Sequence, residues 1–354
     1  MTDDDILPVA LTNASTLLDY WTPLLARLCI EEGVFDAYGT TWRRDDDVAR
    51  ALGVNPGVLG RMVRALSSRD VFEENADGDH RLTELGQAFL SAHGFPKGVA
   101  GFKPWDLHAW AEARHTLLTG EAAFRHHYGT DYFTWMSGHD EIFAEFSEDM
   151  KLRTLGLLAS GISAYPWPSA GTVVDVGGGS GYLLSAVLGE RPDLKGILFD
   201  LPAALADAEG YYDGCGLSDR VTITPGDFFD GVPAGAEIYV MASVLHDWSD
   251  DDATRILGTC RKAMTPSSAL VVYETVLGEG PTSPLSFGLD VHLAVLLKGR
   301  ERTRSEWNAL FRSADLRLTQ VINTPGLSWM EVVPGEGEGP PSRASSHAVT
   351  RRRG

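Results

Sequence analysis

The sequence predicts a mainly α-helical N-terminal region followed by an α/β domain with a mostly parallel sheet. The chain has 354 residues, which suits two domains better than one. From Gly171 onward, apolar β-branched runs alternate with helical stretches, as in a parallel sheet covered on both faces. Before that point, apolar residues recur at three- and four-residue spacing, which is typical of amphipathic helices.

Composition and charge exclude several classes of function. Aspartate and glutamate number 49 against 30 lysines and arginines, so the net charge is −19. Such an acidic chain repels phosphate, and we expect neither a nucleic-acid partner nor a membrane surface. No apolar stretch approaches the ~20 residues that span a bilayer, and the acidic start is unlike a signal peptide. The widely spaced Cys29, Cys215 and Cys260 are typical of reduced thiols in a cytoplasmic protein.

Residues 1–100 carry a winged-helix pattern. A short helix over Asp47–Leu52 ends at Gly53, and a second begins at Asn55-Pro56, where Asn is a good N-cap and Pro fits the first turn. Two short strands follow, over Val71–Glu74 and Arg81–Thr83. An apolar stripe precedes these elements, formed by Leu11, Leu17, Leu18, Trp21, Leu24, Leu25 and Leu28.

The rest of the chain divides into three parts. Residues 101–165 are helical and rich in aromatic side chains, which suit either the wall of a flat ligand site or a dimer core. Pro166 and Pro168 mark the start of the α/β domain over residues 166–334. Five apolar runs and a last strand pair, RLTQVINTP and SWMEVVP, give this domain a seven-stranded sheet. We expect disorder in the polar tail, residues 335–354.

A glycine-rich turn after the first strand of the sheet is the first candidate binding site. In Asp175-Val-Gly177-Gly-Gly-Ser-Gly181 a strand ends and a helix starts, so the backbone can approach a ligand and the N–H groups favour an anion. A dinucleotide fingerprint would need glycine at position 182, where Tyr182 stands. The order Asp-x-Gly-x-Gly-x-Gly instead resembles motif I of methyltransferases that use S-adenosylmethionine.

The next two strands end in residues that suit an adenosine. Asp200 ends the second strand, where a carboxylate can accept from both ribose hydroxyls. Asp227 and Phe228 follow the third, where they can accept from an adenine amino group and stack beside its ring. Taken singly, Asp200 could be a helix cap and Phe228 ordinary core. Their place at the ends of consecutive strands favours a cofactor site.

A candidate base follows the fourth strand. His246 lies just past its carboxyl end, and an unperturbed imidazole pKa of about 6.5 suits proton abstraction at neutral pH. Glu274 ends the fifth strand, and Glu301 lies in Gly-Arg-Glu-Arg-Thr. Carboxylates beside an imidazole fix its tautomer and stabilise the imidazolium.

Roughly residues 10–334 resemble the bacterial relatives of the plant caffeate/isoflavone-type small-molecule O-methyltransferases. The motifs occur in order: Arg-Leu-Thr-Glu-Leu-Gly, Asp-Val-Gly-Gly-Gly-Ser-Gly, Phe-Asp-Leu-Pro, Gly-Asp-Phe-Phe, Leu-His-Asp-Trp-Ser-Asp and Gly-Arg-Glu-Arg-Thr. The resemblance implies a Rossmann-like methyltransferase domain that takes S-adenosylmethionine and releases S-adenosylhomocysteine. It also implies a hydroxylated aromatic acceptor and a homodimer formed through the N-terminal domain.

The same resemblance assigns roles to single residues. His246 is the general base, flanked by Glu274 and Glu301. The cofactor residues are Gly177, Asp200, Asp227 and Phe228, and Met150 lies by the reacting centre. The sequence departs from the family pattern in two places. Ala242 replaces a lysine near the cofactor, and the segment Asp290-Val-His292-Leu293-Ala294 stands where the family has Asp-Leu-x-Met-Leu. Loss of the methionine and gain of His292 are expected to alter the acceptor pocket, which Asp290 and His292 are expected to line.

Other functions remain open at this stage. The acidic run Asp247, Asp250, Asp251 and Asp252 could bind a hard cation, but it also opens a helix over Asp252–Ala263, and we favour no metal. The winged helix could bind DNA, but its second helix, over Pro56–Ser68, offers only Arg61 and Arg64, so dimerisation is the better interpretation. N-methylation, hydroxylation and cyclisation are further alternatives for the same fold.

Overall fold

The computed structural model describes residues 19–93, 103–158, 161–279, 284–325 and 327–335. The described parts of residues 1–108 and 133–159 form one compact unit, and those of residues 109–132 and 160–354 form another. The predicted boundaries at residues 100, 165 and 334 stay a prediction. Leu11, Leu17 and Leu18 of the apolar stripe and residues 336–354 of the tail lie outside the described residues.

Helices dominate the chain up to residue 158. They are α1 (Trp21–Glu31), α2 (Val34–Tyr38), α3 (Asp45–Leu52), α4 (Pro56–Ser67), α5 (Glu84–Gln87), α6 (Pro104–Ala111), α7 (Ala113–Thr119), α8 (Ala123–Tyr128), α9 (Tyr132–Ser137) and α10 (Asp140–Leu158). Strands β1 (Phe72–Glu74) and β2 (His80–Leu82) form an antiparallel hairpin. Among the described residues, no helix combines the length and apolarity needed to cross a membrane.

Local chemistry explains the helix ends around the hairpin. Gly53 ends α3 with a φ of +70°, a backbone conformation that glycine adopts without strain. The side chain of Asn55 accepts from Val58 N at 3.1 Å and caps α4, as predicted. Helix α3 begins at Asp45 rather than at Asp47, because acidic side chains fill its first turn and favour the positive end of the helix dipole.

The second unit is built on a seven-stranded sheet. Its strands are β3 (Ala170–Val176), β4 (Asp193–Asp200), β5 (Val221–Pro225), β6 (Ile238–Ala242), β7 (Ala269–Glu274), β10 (Leu316–Asn323) and β11 (Ser328–Pro334). The order across the sheet is β10-β11-β7-β6-β3-β4-β5, parallel from β7 to β5 and antiparallel at β11 and β10. The predicted seven-stranded, mostly parallel sheet is thus confirmed.

Helices and one small ladder complete this unit. The helices are α11 (Tyr182–Glu190), α12 (Ala208–Cys215), α13 (Asp250–Ala263), α14 (Pro284–Leu296) and α15 (Arg304–Ser313), and β8 (Val276–Leu277) pairs with β9 (Arg302–Thr303). Helix α13 starts at Asp250 rather than at Asp252, because Ser249 accepts from Asp252 N and caps the helix.

The sheet order brings the candidate residues to one edge. Strands β3, β4 and β5 run outward on one side and β6 and β7 on the other, so the direction of strand order reverses between β3 and β6. In parallel sheets, ligands bind outside the carboxyl ends of the strands at such a point. Both strands there are fully buried in their middle, at Val174 and Tyr239 among others. The fold therefore offers a site next to the glycine turn.

Candidate active site

The glycine turn after β3 is closed on its inner side and open on its outer side. Gly177, Gly179 and Gly181 have φ of +73°, +55° and +84°, values that residues with a Cβ rarely adopt. A Cβ on Gly181 would lie 2.1 Å from the Tyr212 hydroxyl oxygen, whereas one on Gly179 would meet open space. Helix α11 starts directly after Gly181, which supplies no side-chain cap. The turn thus leaves its outer face and the start of a helix accessible to an anionic group.

Asp200 is fixed beside the glycine turn by two backbone amides. Gly179 N donates to its Oδ2 at 2.8 Å, and Leu201 N donates to its Oδ1 at 2.6 Å. Burial raises the pKa of Asp200, and the two amides oppose this shift because they favour the ionised form. Each carboxylate oxygen keeps a second lone pair, so the group can still accept from a ribose.

The residues after β5 lie close to the same turn. Gly226 N donates to the Asp200 carbonyl at 2.9 Å, which ties the end of β5 to the end of β4. Asp227 is exposed, and its Oδ1 accepts from Phe229 N at 2.8 Å. A Cβ on Gly177 would lie 3.8 Å from Phe228 Cε1. The structure therefore brings Gly177, Asp200 and Phe228 together, with Asp227 next in the chain.

His246 sits in a single 3₁₀ turn after β6, the segment Leu245–Asp247, which we name the base turn. Its side chain is buried, with an exposed fraction of 5% for the residue. Nδ1 lies 3.1 Å from Glu301 Oε1 and 3.5 Å from Glu274 Oε2, and Nε2 lies 3.4 Å from Asp247 Oδ1. The structure thus brings the three predicted catalytic residues into contact. Asp247, which the sequence offers only as a candidate metal ligand, is a fourth group in this contact.

Glu274 also holds the backbone that carries His246. Its Oε1 accepts from Val244 N and Leu245 N, each at 2.9 Å, and from His246 N at 3.4 Å. The residue before this segment, Ser243, has a φ of +53°, a conformation uncommon for a residue with a side chain. A carboxylate that gathers consecutive amides stabilises such a bend because the amides then need no helix or sheet partner. Glu274 therefore shapes the backbone as well as facing the imidazole.

The electrostatics of this cluster favour a proton on the imidazole. Burial alone would lower the pKa of His246, but three carboxylates outweigh burial and raise it to about 10: Glu274, Asp247 and Glu301. Burial raises the pKa of Glu274 to about 7, although the facing imidazolium opposes this shift. The expectation of an ordinary imidazole pKa is therefore corrected, because the sequence does not show that three carboxylates meet at one buried histidine.

The structure gives Asp290 and His292 defined contacts. Asp290 Oδ1 accepts from Glu301 N at 2.8 Å, so it fixes the residue that faces His246. His292 Nδ1 lies 2.9 Å from Trp110 Nε1, and the two rings stack. Indole nitrogen only donates, so Nδ1 accepts this bond. Met150 lies on α10, in the first unit, and its predicted place by the reacting centre stays a prediction.

The His246 cluster also has the composition of a cation site. Ligand atoms of His246, Glu274 and Glu301 lie within 4.8 Å of one another. Glu274 Oε2 and Glu301 Oε2 are buried and make no hydrogen bond within the described residues. Two members of the acidic run that the sequence offers as a cation site, Asp250 and Asp252, bind protein side chains instead. Asp250 binds Arg302, and Asp252 binds Ser249 and Arg255.

Comparison with known proteins gives the site a family. A family profile described as an O-methyltransferase domain matches residues 110–317, more than half of the chain. The O-demethylpuromycin O-methyltransferase of Streptomyces alboniger is 35% identical over 304 residues, which cover 83% of this chain and 80% of that protein. The chain belongs to the O-methyltransferase family. The family predicted from the sequence motifs is thus confirmed.

Two further relatives of this O-methyltransferase family member bear on its chemistry. A structure of an O-methyltransferase from neocarzinostatin biosynthesis, in complex with S-adenosylmethionine and 2-hydroxy-5-methyl naphthoic acid, is 31% identical, has a TM-score of 0.78, and covers 90% of this chain and 98% of that one. It supports the predicted cofactor at the level of the family. The 8-amino-8-demethylriboflavin N,N-dimethyltransferase of Streptomyces davaonensis is 32% identical over 281 residues, 77% of this chain and 80% of that protein. The family thus also includes N-methylation.

Some contacts of the site were not predicted from the sequence. Asp247 and Arg302 lie inside the motifs Leu-His-Asp-Trp-Ser-Asp and Gly-Arg-Glu-Arg-Thr, in which the sequence assigns catalytic roles only to His246 and Glu301. The sequence offers only a weak signal for Arg302, namely its place next to Glu301, because a buried charge needs charged or polar partners. Sequence alone does not show which of Arg300 and Arg302 is buried.

Proposed function

We propose that this protein transfers a methyl group from S-adenosylmethionine to the hydroxyl of a small aromatic acceptor. The observation that carries the proposal is the buried His246, held by Glu301 at the carboxyl end of β6, directly beside the glycine turn. The two parts touch, because a Cβ on Gly177 would lie 2.9 Å from Val244 Cγ2. The family and the aromatic naphthoic acid bound by one relative support this class of acceptor.

The cofactor fits the residues at the ends of β3, β4 and β5. The open face of the glycine turn and the start of α11 suit the carboxylate of its amino acid part. Asp200 would accept from the ribose hydroxyls, and Asp227 and Phe228 would contact the adenine. S-adenosylmethionine would supply a methyl group on a positively charged sulfur, which leaves as a neutral thioether.

His246 acts as the base in this proposal. Nδ1–H of the neutral imidazole donates to Glu301 Oε1, so Nε2 is the basic nitrogen. As the acceptor oxygen bonds to the methyl carbon, Nε2 takes the hydroxyl proton, and the buried carboxylates stabilise the imidazolium. A phenol has a pKa of about 10, and the carboxylates raise the pKa of His246 toward that range, so the neutral imidazole is basic enough to take a phenolic proton.

Cofactor binding and methyl transfer test the proposal separately. We expect calorimetry to show one S-adenosylhomocysteine per chain, and Asp200→Asn to weaken its binding about 10- to 100-fold, because a charged acceptor is lost. Asp219→Asn, a matched change at an exposed aspartate, should bind S-adenosylhomocysteine as the wild type does.

Methyl transfer is then measured on phenols, hydroxybenzoic acids, hydroxynaphthoic acids and matched arylamines. Transfer to amines alone would replace O-methylation by N-methylation, and absence of binding would overturn both.

The pH dependence of kcat/KM reports the pKa of His246 and therefore the effect of the surrounding carboxylates on it. Because the base must be neutral and its pKa is raised to about 10, we expect kcat/KM to increase from pH 7 toward pH 10. Glu301→Gln keeps a hydrogen-bond acceptor but removes a negative charge, so the inflection should move to lower pH. The acceptor's own ionisation is common to both proteins and cancels in the comparison. Glu209→Gln, on the exposed side of α12, should leave the profile in place.

We also propose that the described part of residues 1–100 is a winged-helix-like dimerisation domain. Helices α3 and α4 and the β1–β2 hairpin support this, as does the net charge of −19, which opposes DNA binding. A cytoplasmic homodimer remains our prediction. The regulator alternative requires a mobility shift of DNA at low salt, which we do not expect.

A further inference from the structure

The base turn is anchored by a second segment, Gly299–Arg302, which we name the clamp segment. Arg300 N donates to the His246 carbonyl at 2.8 Å, and Glu301 faces the imidazole. Next to them, Arg302 is completely buried, although arginine is rarely found inside proteins unless it is paired. A buried guanidinium is stable only if its N–H groups are hydrogen-bonded. The partners of Arg302 therefore indicate its structural role.

Arg302 binds the backbone on both sides of His246. Nη1 donates to the Leu245 carbonyl at 3.0 Å, and Nη2 donates to the Trp248 carbonyl at 2.9 Å. These carbonyls belong to the residues that flank His246 and Asp247 in the chain. A planar guanidinium that joins two carbonyls fixes their separation and direction at once, which a single ammonium does not do.

The guanidinium is itself locked in place. Asp250 Oδ1 accepts from Nε at 2.9 Å and lies 2.8 Å from Nη2, and the guanidinium carbon lies 5.1 Å from the centre of the Trp307 ring. Nη1 also lies 3.5 Å from the Arg300 carbonyl. Because its donors are occupied and its plane rests on an aromatic ring, Arg302 has a fixed orientation.

The base turn needs such support because its own hydrogen bonds are long. Asp247 N donates to the Val244 carbonyl at 3.2 Å, and Trp248 N donates to the Leu245 carbonyl at 3.3 Å. Glu274 accepts from the N–H groups of Val244, Leu245 and His246, at and just before the turn. Arg302 donates to the carbonyls of Leu245 and Trp248, at the start of the turn and just after it. The turn is therefore held between an anion on one side and a cation on the other.

We infer that Arg302 is a positioning residue that sets the orientation of His246 for proton transfer. This inference rests on the proposed function for its kinetic consequence, but the orientation itself is a property of the free protein. Displacement of a reacting group by about 1 Å can cost about 100-fold in rate. A residue that fixes the turn of the base should therefore affect kcat without touching either reactant.

Arg302→Lys tests the inference, with Arg220→Lys as the matched control. Arg220 is also a guanidinium that collects backbone carbonyls, those of Leu188, Arg191, Pro192 and Leu194, but it lies at the other end of α11 from the glycine turn. We expect both variants to lose thermal stability. Only Arg302→Lys should lower kcat, by about 10- to 100-fold, with KM for the cofactor and affinity for S-adenosylhomocysteine unchanged.

The His246 ring provides a readout that needs no turnover. In protein with isotope-labelled histidine, assigned by His246→Gln, we expect Arg302→Lys to shift the ring nitrogen signals of His246, and Arg220→Lys to leave them in place. Asp250→Asn removes the negative charge of an exposed partner of Arg302 but keeps an acceptor and the buried guanidinium, and should give a smaller shift and a smaller loss of kcat. If Arg302→Lys does not fold, Asp250→Asn takes its place in the test.

The outcomes separate the positioning role of Arg302 from the proposed O-methylation. Unchanged His246 signals and kcat in Arg302→Lys, or equal losses of kcat in both lysine variants, would overturn the positioning role. If the wild-type protein binds S-adenosylhomocysteine but methylates no acceptor, O-methylation fails, and the His246 signals alone decide on Arg302.

Discussion

Replacing His246 with glutamine is expected to lower kcat by about 10²- to 10⁴-fold, the range that loss of a general base costs. Glutamine keeps a polar side chain of similar length in the buried position but does not take up the hydroxyl proton at neutral pH. The glycine turn and Asp200 are untouched, so S-adenosylhomocysteine binds as it does to the wild type. The measurement is single-turnover methyl transfer together with calorimetry of the same protein sample.

His126→Gln is the matched control for this change. Its side chain is 53% exposed on α8, and its replacement leaves kcat unchanged. Both proteins are assayed with and without excess EDTA, because ligand atoms of His246, Glu274 and Glu301 are close enough to hold a cation. We expect EDTA to have no effect. A wild-type activity that EDTA abolishes and a divalent metal restores would assign His246 to a metal site instead of to the base.

Gly299→Ala is expected to be nearly as damaging, although it adds one methyl group outside the reacting residues. A Cβ at Gly299 would lie 2.2 Å from the His246 carbonyl oxygen and 2.8 Å from the carbonyl carbon of Asp247. Both are backbone atoms, so the clamp segment must move away from the base turn and lose the bond from Arg300 N. We expect kcat to fall by about 100-fold and the free energy of unfolding to fall by about 1–3 kcal/mol.

Gly258→Ala separates this effect from a general response to the substitution. Gly258 lies within α13, and a Cβ there would meet no atom within 4 Å among the described residues. Alanine favours a helix over glycine, so this variant should be more stable by about 0.5–1 kcal/mol, with kcat unchanged. If Gly299→Ala also kept its kcat, the close approach of the two segments would have no part in catalysis.

The residues found by strand position show what the sequence could predict. Gly177, Asp200, Asp227 and His246 each follow an apolar β-branched run, and parallel strands carry such residues to one edge. Their place at this edge follows from the local strand pattern and from the parallel order of the strands, and the structure has both the predicted strands and the parallel order. Glu301 was found by a motif instead, since it follows α14 rather than one of the sheet strands.

The contacts within the site could not be predicted in the same way. Arg302 and Gly299 contact residues more than 50 positions away, Asp290 contacts Glu301 across a helix end, and the sequence does not give the distances between these residues. The raised pKa of His246 has the same origin, because it depends on how many carboxylates reach one buried ring. Helix starts were displaced by two residues at Asp45 and Asp250, where acidic runs give several adjacent candidates for the first turn.

The hydrogen bonds that distant residues make to the base turn also bear on when this turn forms during folding. Glu274, Glu301 and Arg302 contact this segment across sequence separations of 28 to 57 residues, and the local hydrogen bonds are long. Contacts of that range pay a larger loop-closure entropy than local ones. We therefore expect the base turn to be ordered only once β7 and the clamp segment have docked. A nascent chain that ends before Gly299 would then contain β6 and His246 but not the contacts that orient the imidazole.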